Sequence, residues 1–299
     1  MQPLFIGLGE LLWDLLPSGR QLGGAPANFA YIASLLGNRS AVVSRVGNDD
    51  LGREARERCS SLSLDVSHLQ IDPARPTGTV NVKVDALGVP EFEIVDNVAW
   101  DNIEWTVDLK ELSSQADVVC FGSLAQRRDP SRATIQQFLK ATRERCLRIF
   151  DVNLRQNYYT PVILRTGFAL ATVVKMNHTE LPIVMAAIGL PSTEDEFADA
   201  ELLLDHYGLE LVCVTRGAFG SILVSRKGKS DHSGFRVKVA DTVGAGDAFT
   251  ATLAHGYRHG LSLEAINEAA NRMGGWVASQ PGATPSGISE DLLRAVSTP

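Results

Sequence analysis

The stretch that decides the fold is "LRIFDVNLRQNYYTPVILRTGFALATVVKMNHTELPIVMAAIG", residues 147–189. Two short apolar runs, "LRIFDVNL" and "TVVKMN", each lead through a polar turn into a helical pattern, "PVILRTGFALA" and "HTELPIVMAAIG". Runs this continuously apolar suit strands covered on both faces. The same alternation continues upstream. "LFIGLGEL" precedes "APANFAYIASLLG", which stops at Gly37. "SAVVSRVG" precedes "DDLGREARERCSSL", and "ADVVCFGSL" precedes "SRATIQQFLKATRERC". Strands alternating with helices predict an α/β fold, with a mainly parallel sheet and helices on both of its faces. No repeat, low-complexity tract or linker interrupts the chain, which reads as one domain over residues 1–299.

One segment breaks the rhythm. In "TGTVNVKVDALGVPEFEIV", residues 77–95, Val80, Val82 and Val84 alternate with Asn81, Lys83 and Asp85. After the turn "ALGVP", Phe92 and Ile94 alternate again. This predicts an antiparallel hairpin. An edge hairpin and a small β-lid both fit the pattern.

The 299 residues are 44% hydrophobic and 21% charged, an ordinary globular composition. A net charge of −7 argues against a nucleic-acid duplex or an anionic membrane as partner. The N-terminal "MQPLFIGLGELLWDLLP" lacks a basic leader and is interrupted by Glu10 and Asp14, so it reads as a first strand and not as a signal peptide. No apolar run is long enough to span a bilayer. The four cysteines, Cys59, Cys120, Cys146 and Cys213, are widely spaced. Cys120 and Cys213 sit in strand-like runs as small core residues. A reducing, cytoplasmic setting without disulfides or structural zinc is expected.

Several short motifs carry candidate chemistry. Gly7 and Gly9 follow a strand like the start of a dinucleotide fingerprint, but the third glycine is replaced by Leu12, and Glu10 would repel a pyrophosphate. Asp14 reads as a turn or helix-start residue when taken alone. In "GGAPANFA", Gly23 and Gly24 allow close backbone approach, Pro26 suits a first helical turn, and Asn28 lies in that turn. The stretch fits a plain loop-to-helix junction or a contact to a sugar hydroxyl. Asp151, Asn153 and Arg155 alternate where a strand stops, which suits a cleft. Asn177 and Glu180 fit a capping box, or a pair holding water around Mg²⁺. Thr215, Gly217 and Gly220 fit a strand turn or a nucleotide edge.

The most informative motif is "DTVGAGDAF", residues 241–249. A Gly-rich turn that opens a helix directs free N–H groups at an anion. A carboxylate at Asp247 conflicts with simple anion binding. No G-x-x-x-x-G-K-[ST] loop is present, so phosphoryl transfer needs another device. Amides of residues 244–247 can hold the charge on a transferred phosphoryl group. Asp247 can then take the proton of the attacking hydroxyl.

Together "GGAPANFA", "VGNDDLG", "KMNHTE", "VTRGAFG" and "DTVGAGDAF" resemble the ribokinase-like (PfkB) carbohydrate kinases in order and spacing across almost the whole chain. Within that family, "GAPAN", "DVNLR" and the "GVPEFEI…NVAWDNI" region are most similar to fructokinases. The resemblance implies a three-layer α/β/α sandwich, with a sheet of about nine strands and residues 77–95 as a β-lid that can also pair subunits into a homodimer. It implies Asp247 as catalytic base, with Gly244, Ala245 and Gly246 forming the anion hole. Asp14, Gly24, Asn28 and Arg155 would contact the sugar. Thr215, Gly217 and Gly220 would lie beside ATP, and Asn271 near the adenine. Asn177 and Glu180 would organise Mg²⁺ through water. Asp241 and the Val243 carbonyl would hold a monovalent cation such as K⁺.

Two departures stand out. Val243 replaces the family's usual threonine, and Val152 replaces the proline of the "D-P-N" variant. The implied activity is ATP-dependent phosphorylation of a primary hydroxyl of a small sugar, fructose to fructose 6-phosphate. The alternatives are ribokinase, adenosine kinase or 2-keto-3-deoxygluconate kinase types, or a non-catalytic sugar sensor. A nucleoside would need an aromatic wall, for which Phe92 and Trp100 are the candidates. A sugar acid would need cations, and residues 77–105 offer Lys83 for that role.

Overall fold

The computed structural model describes residues 2–16, 19–84 and 90–297. In chain order the strands are β1 (Leu4–Leu8), β2 (Leu12–Leu16), β3 (Gly19–Gly23), β4 (Arg39–Gly47), β5 (Leu69–Asp72), β6 (Gly78–Val84), β7 (Pro90–Ile94), β8 (Val118–Phe121), β9 (Leu147–Asp151), β10 (Val173–Asn177), β11 (Leu211–Thr215), β12 (Ser221–Ser225) and β13 (Gly228–His232). The helices are α1 (Ala25–Leu35), α2 (Asp50–Ser61), α3 (Val107–Gln115), α4 (Asp129–Ala141), α5 (Pro161–Leu170), α6 (Glu180–Ile188), α7 (Glu196–Tyr207), α8 (Ala245–Arg258), α9 (Leu263–Ala278) and α10 (Glu290–Ser297).

Nine strands form the main sheet in the order β13-β12-β11-β10-β9-β8-β1-β4-β5. The run from β11 to β5 is parallel, whereas β12 and β13 add antiparallel at one edge. Side chains alternate across this sheet, and each face has its own core. Leu4, Ile6 and Leu8 of β1 join Phe121, Phe150 and Val174 beneath α3 to α7. Phe5 joins Val42, Cys120 and Ile149 beneath α1, α2, α8 and α9. The result is the three-layer α/β/α sandwich expected from the continuously apolar strands. All four cysteines are buried, and Cys120 and Cys213 lie in β8 and β11 as their apolar runs predict. No described helix is long and apolar enough to cross a membrane.

Strand order reverses at β1. The chain goes from β1 to β4 on one side and places β8 on the other. In open α/β sheets such a reversal leaves a crevice at the carboxyl ends of the strands, where ligands bind. The ends of β1, β8, β9 and β10 therefore set the location of the site.

The hairpin is part of a larger element. β6 and β7 pair antiparallel with Val80 opposite Ile94, as the alternation predicts. The turn "ALGVP" lies outside the described residues except for Pro90, and so do the side-chain faces of Val82, Lys83, Val84 and Phe92. β6 also pairs in parallel with β2, and β2 pairs antiparallel with β3, giving a four-stranded second sheet, β3-β2-β6-β7. The N-terminal segment is thus two strands in two sheets and not one first strand. It leaves the main sheet at Gly9, whose φ of +149° suits glycine.

Arg127 ties this small sheet to the sandwich. It binds both carboxylate oxygens of Asp101 at 2.7 and 2.8 Å and donates to the Val95 carbonyl at 2.7 Å. Its guanidinium stacks between Trp100 and Tyr158, at 4.0 and 4.6 Å from their ring centres. The Tyr158 hydroxyl donates to the Ile94 carbonyl.

Candidate active site

Helix α8 begins at the crevice. Gly244 precedes it with φ +78°, and a Cβ there would sit 2.5 Å from the Ala283 Cβ, so turn and packing both require glycine. The Ala245 amide reaches the Thr242 carbonyl at 3.3 Å, a long bond. Among the described residues, no protein acceptor meets the amides of Gly244, Gly246 or Asp247. These three donors sit at the positive end of a 14-residue helix, where the sequence reading expects an anion-binding turn.

Asp247 lies in the first turn of α8, and its Oδ2 accepts a 2.8 Å hydrogen bond from Asn28 Nδ2. Asn28, in the first turn of α1, is buried. Burial pushes the Asp247 pKa up to about 6, and the nearby charge of Asp151 adds to the shift. The Asn28 bond, Lys175 and Arg155 oppose it. A carboxylate with this pKa is ionised at neutral pH and still basic enough to take a proton from an alcohol in a transition state.

A buried ion pair lies beneath the turn. Lys175 Nζ is 3.1 and 3.2 Å from the two Asp151 oxygens. Thr250 Oγ1 lies 2.8 Å from Asp151 Oδ2 and 2.9 Å from the Gly246 carbonyl. A Cβ on Gly246 would come within 3.1 Å of Lys175 Nζ. Burial opposes the Lys175 charge, but Asp151, Glu180 and Asp247 outweigh it and hold its pKa above the usual value. The sequence reading did not assign Lys175 to the site. Its signal was a lysine inside the otherwise apolar run "TVVKMN".

The proposed sugar-contacting residues converge from three segments. Gly24 has φ +115°, and a Cβ there would lie 2.5 Å from the Glu10 carbonyl oxygen. Asp14 is in mid-strand on β2, opposite Gln21, and not in a turn as its sequence context suggested. Its pKa is raised by burial, which Arg155 opposes and Asp241 reinforces. Arg155 is exposed and acts on Asp14, Glu10 and Asp247 through its charge. The expected strand face of Asp151, Asn153 and Arg155 does not form, because β9 stops at Asp151 and Asn153 turns with φ +42°.

Gly7 has a packing explanation. A Cβ there would lie 1.9 Å from the Pro26 carbonyl, so this glycine lets α1 lie on β1. Trp100 is fully buried beneath the small sheet and supplies no wall for a nucleoside base.

Asn177 and Glu180 make the reciprocal bonds of a capping box. Asn177 Oδ1 accepts from the Thr179 and Glu180 amides, and Glu180 Oε2 accepts from the Asn177 amide at 2.8 Å. Glu180 Oε1 accepts from the Leu154 amide at 2.7 Å. Glu180 thus clamps the ends of β9 and β10 together. Each oxygen keeps a further lone pair for water, which suits the loosely held, water-rich shell of Mg²⁺. No group of three or more His, Cys, Asp or Glu among the described residues could hold a metal directly.

Thr215 ends β11 and reaches the Met176 carbonyl at 3.4 Å. Gly217 and Gly220 have φ +58° and +80°, and a Cβ on Gly220 would lie 1.8 Å from the His232 carbonyl oxygen. Asn271, on α9, spends its Nδ2 on Ser221 Oγ and on the Asn267 carbonyl, each at 2.8 Å. Asp241 accepts from the Val243 amide at 3.0 Å and the Gly282 amide at 3.2 Å, joining the turn before α8 to the loop at 281–284. A cavity of about 570 Å³ lies between α2, the β2–β3 hairpin and that loop, away from Asp247.

The family model for "pfkB family carbohydrate kinase" matches residues 19–290. The fructokinase of Salmonella typhimurium is 34% identical over 82% of this chain and 81% of its own length. The aminoimidazole riboside kinase of the same species is 28% identical over 92% of this chain and 89% of its own length. A Pyrococcus horikoshii sugar kinase solved in complex with ATP superposes with a TM-score of 0.80 at 28% identity, covering 98% of this chain and 99% of that one. The Vibrio cholerae fructokinase solved with fructose, ADP and calcium ion superposes with a TM-score of 0.79 at 28% identity, covering 99% of both chains. The free amides at the head of α8, the half-buried Asp247 among them and this full-length match agree: the chain belongs to the pfkB family of carbohydrate kinases.

Proposed function

We propose that this protein is an ATP-dependent kinase for a small sugar, and that it converts fructose to fructose 6-phosphate. The observation that carries the reading is Asp247, held by Asn28 at 2.8 Å beside unpartnered amides at a helix N-terminus. In the proposed step the sugar's primary hydroxyl oxygen attacks the γ-phosphorus of ATP. The new O–P bond forms as the bond to the ADP oxygen breaks, and the hydroxyl proton passes to Asp247. The amides of Gly244, Gly246 and Asp247, with that of Ala245 once it leaves Thr242, receive the negative phosphoryl oxygens. Lys175, Asp151 and Thr250 hold the turn from below.

Asp14, Gly24, Asn28 and Arg155 grip the sugar, since an acid, an amide and a guanidinium together match several hydroxyls. Thr215, Gly217, Gly220, Asn177 and Asn271 form the nucleotide edge. Asn177 and Glu180 would hold Mg²⁺ through water, where it would neutralise phosphate charge. Asp241 and the Val243 carbonyl would hold a monovalent cation such as K⁺. The small sheet, including residues 77–95, acts as a lid and as the surface for a homodimer in the cytoplasm.

A second reading, a riboside as acceptor, is favoured by the aminoimidazole riboside kinase among the relatives. It is opposed by the burial of Trp100, which removes one aromatic candidate for a base-binding wall. The test is kcat/KM for fructose, ribose, adenosine, aminoimidazole riboside and 2-keto-3-deoxygluconate in one ADP-release assay. Fructose should lead by a large factor. A higher value for any other sugar overturns the fructose assignment and keeps the kinase.

A further inference from the structure

Two of the residues assigned to the sugar come from separate parts of the chain. Asp14 is on β2 of the small sheet, and Arg155 is in the turn that follows β9. That turn has little support of its own. Asn153 and Gln156 have φ of +42° and +48°, a region that side chains other than glycine rarely adopt. Such residues persist where their surroundings hold them. Tyr158 supplies the hold. Its amide donates to the Arg155 carbonyl at 3.1 Å and closes the turn. Its hydroxyl donates to the Ile94 carbonyl on β7 at 3.2 Å. Arg127 keeps the ring in place, with its guanidinium 4.6 Å from the ring centre, and donates to the next carbonyl, that of Val95, at 2.7 Å.

The register of the small sheet completes the connection. Ile94 pairs with Val80 on β6, and Val80 pairs with Asp14 on β2. Asp14, Val80 and Ile94 therefore form one row across three strands, and Tyr158 extends that row to Arg155. We propose that Tyr158 is a positioning residue that fixes Arg155 relative to Asp14, so that both close on the same sugar; the inference rests on Asp14 and Arg155 being its contacts. The row is stiff. Val80 and Ile94 are buried, and Arg127 is itself held by two bonds to Asp101. Removing one hydroxyl thus frees the turn and leaves the sheet and the sandwich in place. A small shift of the guanidinium matters because hydrogen bonds to sugar hydroxyls weaken steeply with distance and angle. Arg155 already opposes the rise in the Asp14 pKa that burial causes, so its charge reaches Asp14 across the cleft.

The test compares four forms of the full chain: wild type, Tyr158→Phe, Arg155→Met and the double variant. Tyr158→Phe removes the hydroxyl and keeps the ring against Arg127, so the fold is retained. KM and kcat are measured with fructose, or with whichever acceptor leads the panel above. In Tyr158→Phe the sugar KM should rise roughly twofold to tenfold, the span that one lost hydrogen bond covers, with the ATP KM unchanged. In the Arg155→Met background the same substitution should add nothing to the sugar KM. Hydrogen exchange of the 155–158 amides in the ligand-free protein should quicken in Tyr158→Phe. An unchanged sugar KM or unchanged exchange in Tyr158→Phe overturns the proposal. So does an equal rise in both backgrounds, since Tyr158 then acts on the small sheet and not through Arg155. An ATP KM that rises in step with the sugar KM overturns it as well, as a general loosening. Arg155→Met alone tests the underlying reading: an unaltered sugar KM there removes the Arg155 contact and the proposal with it, whereas a raised one leaves the contact standing however Tyr158→Phe behaves.

Discussion

Replacing Asn28 by leucine should move the acid limb of the reaction's pH profile. Asn28 donates a 2.8 Å hydrogen bond to Asp247 Oδ2 and is one of the groups that hold its pKa down. A hydrogen bond to a charged group contributes roughly 1.5–3 kcal/mol. At about 1.4 kcal/mol per pKa unit, its loss raises the pKa by roughly one to two units. Starting from about 6, the base then titrates between roughly 7 and 8. A general base works when deprotonated, so activity present in wild type at pH 7 is lost as the limb moves above it. The ionised fraction at pH 7 falls from about nine-tenths to between roughly a half and a tenth. The assay is kcat/KM for the sugar from pH 5 to 9 in wild type and Asn28→Leu. Any loss of sugar affinity in the variant lowers the whole curve, but it does not by itself move the inflection. An Asn28→Leu limb that coincides with wild type would refute the claim that this bond tunes the base.

Two further outcomes follow from the same geometry. In the folded protein Asp247 holds its proton up to about pH 6, above its ordinary value of 3.8. Folding therefore loses stability as pH rises from about 4 to 6, and Asp247→Asn should be more stable than wild type at pH 7 by about 1–2 kcal/mol after discounting for a half-buried group. Thermal unfolding at pH 4 and pH 7 checks this, with the gain absent at pH 4. Glu180→Gln should raise the Mg²⁺ concentration needed for half-maximal rate more than it changes the sugar KM. An unchanged Mg²⁺ titration would leave Glu180 only its clamp on the Leu154 and Asn177 amides.

Much of the architecture was legible because it is local. Apolar runs closed by polar turns mark β4, β8, β9, β10 and β11, and Asp49 caps α2 with its carboxylate on the Gly52 amide. The glycine turn that opens α8 was legible for the same reason, since a glycine run before a helical pattern leaves its amides free. The N-terminal strands were not. "LLWDLL" continues the apolar run of β1, and the break at Gly9 depends on β2 pairing with β6, more than sixty residues away. Asp151 was seen as a cleft residue, but its partner Lys175 is 24 positions on, and only the neighbouring parallel strands bring them together. The alternation of Asp151, Asn153 and Arg155 misled because a strand end looks periodic until its backbone is seen to turn. Glu10 was read as an obstacle to a pyrophosphate. Its backbone packs against Gly24 at the head of α1, a helix that returns only after β2 and β3.

The central claim is that Asp247 takes the proton as phosphate moves to the sugar, and single-turnover ADP release by Asp247→Asn tests it most directly. The amide keeps the shape and the partnership with Asn28 and removes the basicity. With saturating ATP and fructose the rate should fall by roughly 10²–10⁴ fold, while ATP binding measured by calorimetry stays near wild type. A folded Asp247→Asn protein that turns over at close to the wild-type rate would contradict the account.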